Sequence, residues 1–389
     1  MKRSPLLPIF LTVFVDVLGL TLVLPLLPFY ALHFRASPLV VGCLGATFAV
    51  CQLVSGPVLG RISDQVGRKP TLLASQAGTF AGFLVLGFAN SLWMLFASRI
   101  IDGATAGNLT IAQAYISDAT KPEERTRAFG FIGIAFGTGF LIGPAISGWL
   151  AHHHGYAAPA FAAAALSLLS IVLTATMLPN QRPTCASDGS TPRRSLAFGR
   201  FLGRPLPRRR LLQFFAFTSS FSTLIGGLAL YLNTRFGFDV ERTGYVYALS
   251  GFVGAAVQGG IIGRLAQGLG EARLSFYGFT FMAAGYLFLG AAYGLPMLIA
   301  LIVIAALGSA VTRPALTTLL TRSVGSDEQG AVLGVSQSLS GISQILGPVV
   351  AGWLIGRGWL TAYGLVAGGA ALLGALLVRL HGDSPGATA

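Results

Sequence analysis

The sequence predicts an all-α integral membrane protein whose twelve transmembrane helices form two pseudo-symmetric six-helix bundles. Three observations carry this: a scarcity of charge, twelve apolar runs of spanning length, and a repeat relating the last six runs to the first six. The 389 residues are 53% hydrophobic and 10% charged, against roughly 25% charged in a soluble domain. A water-soluble fold of this length could not cover its surface with so few charges. Most of the 51 glycines sit inside the apolar runs, as expected where small residues let helices approach closely in lipid.

The runs fall at 6–30, 39–60, 70–89, 93–117, 128–150, 158–178, 210–232, 243–266, 274–294, 296–320, 330–355 and 359–380, each near the roughly 20 residues that cross the hydrocarbon. Met1, Lys2 and Arg3 lead straight into a stretch that stays apolar to Phe29, which reads as the first span and not as a cleaved leader. The one long polar stretch and its edge carry Arg182, Arg193, Arg194, Arg200, Arg204, Arg208, Arg209 and Arg210 against a single acid, Asp188. It divides the chain into an N-terminal bundle at 1–178, a basic cytoplasmic linker at 179–209, and a C-terminal bundle at 210–389. The linker is expected to be solvated and flexible.

Net charge is +13, from 26 Lys and Arg against 13 acids, and its location decides its meaning. With the N-terminus inside, twenty cations fall in inside loops and ends, including Lys2, Arg3 and Lys121. Four (Arg35, Arg235, Arg242, Arg357) fall outside, and Arg99 and Arg313 lie within spans. This is the positive-inside asymmetry of a multi-pass protein with both termini cytoplasmic. It is not the basic face of a nucleic-acid binder. Cys43, Cys51 and Cys185 have no disulfide or metal spacing.

The halves repeat. GRISDQVGRKPTLL from Gly60 returns as GRLAQGLGEARLSF from Gly263, and a stretch from Glu124 returns from Asp327. At an offset of 204, Gly130, Gly143 and Pro144 meet Gly334, Gly347 and Pro348, and Gly148, Trp149 and Leu150 meet Gly352, Trp353 and Leu354. Parallel repeats joined by a long loop are an alternating-access architecture, with the substrate path between the halves.

Gly60-x-x-x-Asp64-x-x-Gly67-Arg68-Lys69 resembles the loop between the second and third helices of the major facilitator superfamily. The turn must be short, with glycines for close helix approach. Asp64 suits a helix N-terminus in the other half, and Asp118 is the carboxylate expected to pair with Arg68. The family's usual Arg is Gln65 here. Gly139-x-x-x-Gly143-Pro144-x-x-x-Gly148 resembles the fifth-helix signature of that superfamily's drug:proton antiporters. Asp16-x-x-Gly19 with Pro25 and Pro28 resembles the first span of the tetracycline exporters, and Arg99 with Gly103 and Gly107 the fourth-helix signature. Those exporters carry a further acid in the third helix, whereas Gly78 to Phe83 has none. Their second-half His and acid also lack counterparts near Gly254 and Met282, and Asp102 stands where they have a small residue.

The resemblance implies a proton-coupled exporter of small amphipathic compounds, multidrug or tetracycline-like, working by alternating access in a bacterial cell inner membrane. It implies a monomer driven by the proton gradient, with no cofactor and no enzymatic reaction. The same motifs would serve a dedicated exporter of an endogenous metabolite or siderophore. A transporter-shaped sensor or channel has less use for gating loops in both halves. There is no phosphate-cradling Gly-Lys-Ser/Thr loop for an ATP-driven pump.

An ionisable group inside a span costs roughly 2.5–3.5 kcal/mol on insertion scales, so each is a functional candidate. Asp16 is the expected proton carrier, with Asp102 second and Arg99 as the tuning cation. Arg99 and Asp102 are three apart on one helix face and equally suit a static ion pair. Arg313, before Pro314, would either attract an anionic group or snorkel to the interface. Gln52, Asn108, Gln113, Asn233 and Gln258 are candidates for substrate contact, or for interhelical hydrogen bonds. His152, His153 and His154 have no carboxylate or Cys near them in sequence, so they read as a solvated outside loop with no metal.

Overall fold

The computed structural model describes residues 6–119, 122–179, 194–325 and 328–379. Lys2, Arg3, Lys121, Asp327 and the linker residues 180–193, with Arg182, Cys185, Asp188 and Arg193, lie outside them. Among the described residues the regular structure is entirely helical. The first part of the chain contributes α1 (Leu6–His33), α2 (Pro38–Val66), α3 (Arg68–Gly87), α4 (Leu92–Ala104), α5 (Asn108–Ala119), α6 (Pro122–His154) and α7 (Ala157–Met177). A short α8 (Arg194–Gly203) precedes α9 (Pro205–Phe236), α10 (Val240–Ala256), α11 (Ile262–Leu269), α12 (Glu271–Leu287), α13 (Leu295–Thr321), α14 (Gln329–Gly356) and α15 (Leu360–Arg379).

Among the described residues, eleven helical segments are long and apolar enough to cross a membrane. One of them, Val240–Leu269, is α10 and α11 joined through a π-helical turn at Val257–Ile261. The fourth expected run, 93–117, is the exception: it is two helices of 13 and 12 residues, parted by turns at 105–107. The reason is local packing. A Cβ on Gly78 of α3 would lie 2.2 Å from Thr105 Cγ2, so α3 presses directly against the break. Ser75 of α3 then satisfies groups that the break frees: its hydroxyl donates to the Thr105 carbonyl and accepts from the Gly107 N–H at 3.1 Å. Ser55 of α2 donates to the Gly103 carbonyl at 2.7 Å. Irregular backbone within a span persists only where protein groups take up its polar atoms in this way.

The helix surfaces are inverted relative to a soluble bundle. On α7, Ser167, Ser170 and Thr174 are buried, while Leu168, Leu169 and Val172 are exposed. Spacing of three and four places each set on one face; small hydroxylated residues pack inward and aliphatic ones face the lipid. Turns between spans are tight. Ser37 caps α2 with Pro38 in its first turn, where the missing proline N–H is not needed. Gly67 passes from α2 to α3 at φ 110, a conformation that side chains with a Cβ resist.

Two compact units emerge. The first contains residues 1–189 with 232–252, and the second 190–231 with 253–389. In the first, α1 packs on α6 and α7, and α3 on α4 and α7; in the second, α12 packs on α13 and α15.

The linker expected to be flexible is, in its second half, a docked helix. Phe201 of α8 is buried in a cluster with Leu211, Leu320, Val332 and Val335. Arg200 and Arg204 both pair with Glu328, the latter at 2.6 Å. Apolar anchoring between arginines is what the polarity of the stretch concealed.

Candidate functional site

Asp16 lies on α1 and faces a polar seam built by three helices. Gln76 of α3 is completely buried. Its amide donates to Asp16 Oδ2 at 3.4 Å and to Ser170 Oγ of α7 at 2.7 Å. Ser170 in turn donates to the Thr12 carbonyl at 3.4 Å, and Thr12 meets Thr174 at 3.4 Å. Asn108 faces the same carboxylate. Buried polar groups inside a span are tolerated only when satisfied, and here the partners converge on one acid. Gln76 Oε1 and Asn108 Oδ1 have no hydrogen-bond partner among the described residues. Gln76, Ser170 and Thr12 were not singled out from sequence. The available signals were one glutamine amid the third apolar run, and hydroxyls every three to four residues along the sixth.

Arg99 and Asp102 form a buried ion pair at 3.1 Å, with side chains 4% and 5% exposed. Arg99 also lies over the Phe48 ring at 5.9 Å and donates to Ser98 at 3.3 Å, while its NH2 is unsatisfied. Asp102 is presented to α3. A Cβ on Gly82 would be 3.1 Å from Asp102 Cβ, and Thr79 hydrogen-bonds its carboxylate. The stretch from Gly78 to Phe83 has no acid of its own, yet a carboxylate from α4 stands against it.

At the other end of α3, Arg68 clasps three helices' ends together. Its Nε reaches Asp118 Oδ2 of α5 at 2.8 Å, and its NH1 meets Asp64 and, at 2.7 Å, Ser63. Lys69 donates to the Ala175 carbonyl at 2.8 Å. Asp64 pairs with Arg68 within this loop. Among the described residues, nothing lies within 4 Å of where a Gly60 Cβ would be.

The glycine face of α6 serves two neighbours. Gly139 and Gly143 admit α1: added Cβ atoms would lie 2.6 Å from Val17 Cγ1 and 2.0 Å from Thr21 Oγ1. Thr21 donates to the Gly139 carbonyl at 3.0 Å. Pro144 and Gly148 admit α10, where Gly244 would clash with the Pro144 carbonyl at 2.3 Å and Gly148 with the Val240 carbonyl at 2.8 Å.

The candidate substrate contacts separate. Asn233 donates to the Phe238 carbonyl at 3.0 Å and closes the turn after α9, a structural task. Gln52 and Gln113 are half-buried, and Gln258 is exposed on the π-helical turn. Arg313 is exposed on α13; its carbonyl accepts the Thr317 hydroxyl at 2.9 Å, while its guanidinium has no hydrogen bond or ion pair among the described residues. His152, His153 and His154 end α6, exposed as expected, but carboxylates are near them in space: Asp239 Oδ2 lies 3.3 Å from His152 Nδ1.

Comparison with known proteins gives consistent matches. The model of the Major Facilitator Superfamily matches residues 9–274 and 252–388. The chain is 32% identical to the class H tetracycline resistance protein of Pasteurella multocida, over 90% of this chain and 88% of that one. It is 29% identical to Multidrug resistance protein 1 of Bacillus subtilis (strain 168), over 91% and 90%. Among solved structures, the human organic anion transporter MFSD10 (TETRAN) superposes with TM-score 0.74 at 25% identity, covering 97% of this chain and 99% of that chain. The nucleoside transporter NupG shares the fold, with TM-score 0.78 at 15% identity over 97% and 99%.

Proposed function

The chain belongs to the major facilitator superfamily, a multi-pass membrane transporter and not an enzyme, and on that premise we propose that it exports small amphipathic compounds in exchange for protons. The observation that carries the proposal is the Asp16 carboxylate held by Gln76 amid Ser170, Thr12 and Asn108. A carboxylate at that depth is expensive unless used. Its partners are hydrogen-bonding groups, not a fixed cation, so its proton can be exchanged. Asp102, locked to Arg99, is the second acid, and Arg99 is its tuning cation. In the cycle, protonation and substrate occupancy alternate as the transporter works by alternating access.

Resistance to tetracycline and to multiple drugs in the relatives' names supports drug-like substrates. Arg313, an exposed cation on α13 whose guanidinium has no ion pair among the described residues, supports those bearing an acidic group, as does the likeness to an organic anion transporter. Gln52, Gln113 and Gln258 remain proposed contacts. The distribution of Lys and Arg supports cytoplasmic termini, and the likeness to a bacterial tetracycline resistance protein supports a cell inner membrane location. The test is a susceptibility panel in a pump-deleted bacterial host, comparing the parent with Asp16→Asn and Asp102→Asn. The parent should restore resistance, and Asp16→Asn should not. Full proton-driven transport by Asp16→Asn would overturn the assignment.

A further inference from the structure

We infer that the end of the N-terminal unit remote from the Arg68 loop contains a binding site for a divalent transition-metal ion, with His152, Asp239 and Glu241 as ligands. His152 closes α6, while Asp239 and Glu241 open α10, 87 and 89 residues later. His152 Nδ1 lies 3.3 Å from Asp239 Oδ2 and 3.7 Å from Glu241 Oε2, and the three ligand atoms all fall within 4.8 Å of one another. Ligands about 2.0–2.2 Å from a tetrahedral zinc ion stand about 3.3–3.6 Å apart, so the spacing is already close to a coordination shell.

The set is oriented from behind. Asp239 Oδ1 accepts the Arg242 N–H at 2.9 Å, and Glu241 Oε1 accepts the Tyr245 hydroxyl at 2.8 Å. In each carboxylate one oxygen is occupied and the other is turned toward His152, the outer-shell pattern of metal ligands. The other two histidines are engaged with Trp149: His153 stacks on it with ring centroids 4.9 Å apart and bonds its carbonyl at 2.9 Å, and His154 meets its edge at 5.7 Å. The mounts are rigid as well, because Gly148 and Gly244 bring α6 and α10 into backbone contact.

One imidazole nitrogen with two carboxylate oxygens suits Zn²⁺, Co²⁺ or Ni²⁺, whereas Mg²⁺ prefers oxygen ligands and retained water. An ion held there ties α6 to α10. If the transport cycle proposed above separates those helices, the ion arrests it.

The experiment titrates ZnCl2 into the full chain in lipid nanodiscs by calorimetry and records thermal unfolding with and without Zn²⁺. The expected result is one Zn²⁺ per chain, not displaced by excess Mg²⁺, with a raised unfolding temperature. His152→Ala and the near-isosteric Asp239→Asn should each weaken binding at least about tenfold and remove the thermal shift, while His154→Ala changes neither. Equal affinity in parent, His152→Ala and Asp239→Asn would overturn the site, as would a loss with His154→Ala matching that with His152→Ala. Binding requires no transport, so failure here is distinguishable from failure of the export reading. In an efflux assay Zn²⁺ should slow the parent but not His152→Ala; undiminished flux at saturating Zn²⁺ would overturn the arrest.

Discussion

Two loops of this molecule, one from each repeat, solve one problem with opposite charges. In the first, Arg68 at the start of α3 pairs with Asp118 at the end of α5, at 2.8 Å. In the second, Glu271 at the start of α12 pairs with Arg322 just past α13, at 3.0 Å. The positions correspond at offsets of 203 and 204 residues. Each loop turns on a glycine of positive φ, Gly67 at 110 and Gly270 at 74. Coulomb attraction is indifferent to which partner bears which sign, so what both loops preserve is the link between two helix ends. The buried charges behave differently. At the 204 offset Asp16, Arg99 and Asp102 correspond to Ser220, Val303 and Ala306. Ser220 simply donates to the Ala367 carbonyl at 2.7 Å. A clasp at the water interface costs little in either polarity, whereas intramembrane charge is expensive. In the sequence, carboxylates in the interior of an apolar run therefore occur in only one repeat, with Glu241 and Glu271 at helix starts, which favours the N-terminal bundle for the proposed coupling.

The comparison can be broken most sharply at Asp16. Copying the second repeat with Asp16→Ser should reduce proton-driven efflux to the level of an empty vector, measured as drug accumulation with and without a protonophore. Next is the buried pair. Asp102→Ala strands the Arg99 guanidinium, and removing one partner of a buried pair costs about 3–5 kcal/mol. The double change Arg99→Val with Asp102→Ala, which reproduces Val303 and Ala306, should recover most of that stability in a detergent unfolding assay. A double variant as unstable as the single would show that the pair is needed for the fold itself.

A smaller effect is expected at the clasp. Arg68→Glu places like charges beside Asp64 and Asp118 and should impair transport; adding Asp118→Arg recreates the second loop's polarity and should restore part of it. Partial solvent exposure of these side chains, 19% and 34%, limits the pair to about 0.2–1 kcal/mol. The smallest effect is expected for Arg322→Gln, since that side chain is 67% exposed; its stability change should stay below about 0.5 kcal/mol.

Much of the architecture was legible because a bilayer imposes a one-dimensional rule: segments near 20 apolar residues must be helices that satisfy their own backbone. The spans, the repeat offset and the motif positions followed from that rule and from glycine placement. The break between α4 and α5 did not, because Gly103 and Gly107 suit an unbroken span equally well; it is Gly78 and Ser75 of another helix that stand against it. Nor did the docking of α8, whose arginines outnumber its anchoring Phe201.

What the sequence determined by itself is thus the number and kind of segments, and which charges must lie within them, since hydrophobicity and Lys/Arg placement act locally along the chain. What only the tertiary structure decided is partnership. Gln76 meets Asp16 and Ser170 across 60 and 94 residues, and His152 meets Asp239 across 87. Such pairs depend on which helix faces touch, and small residues spread over several spans set that contact by letting particular backbones close together.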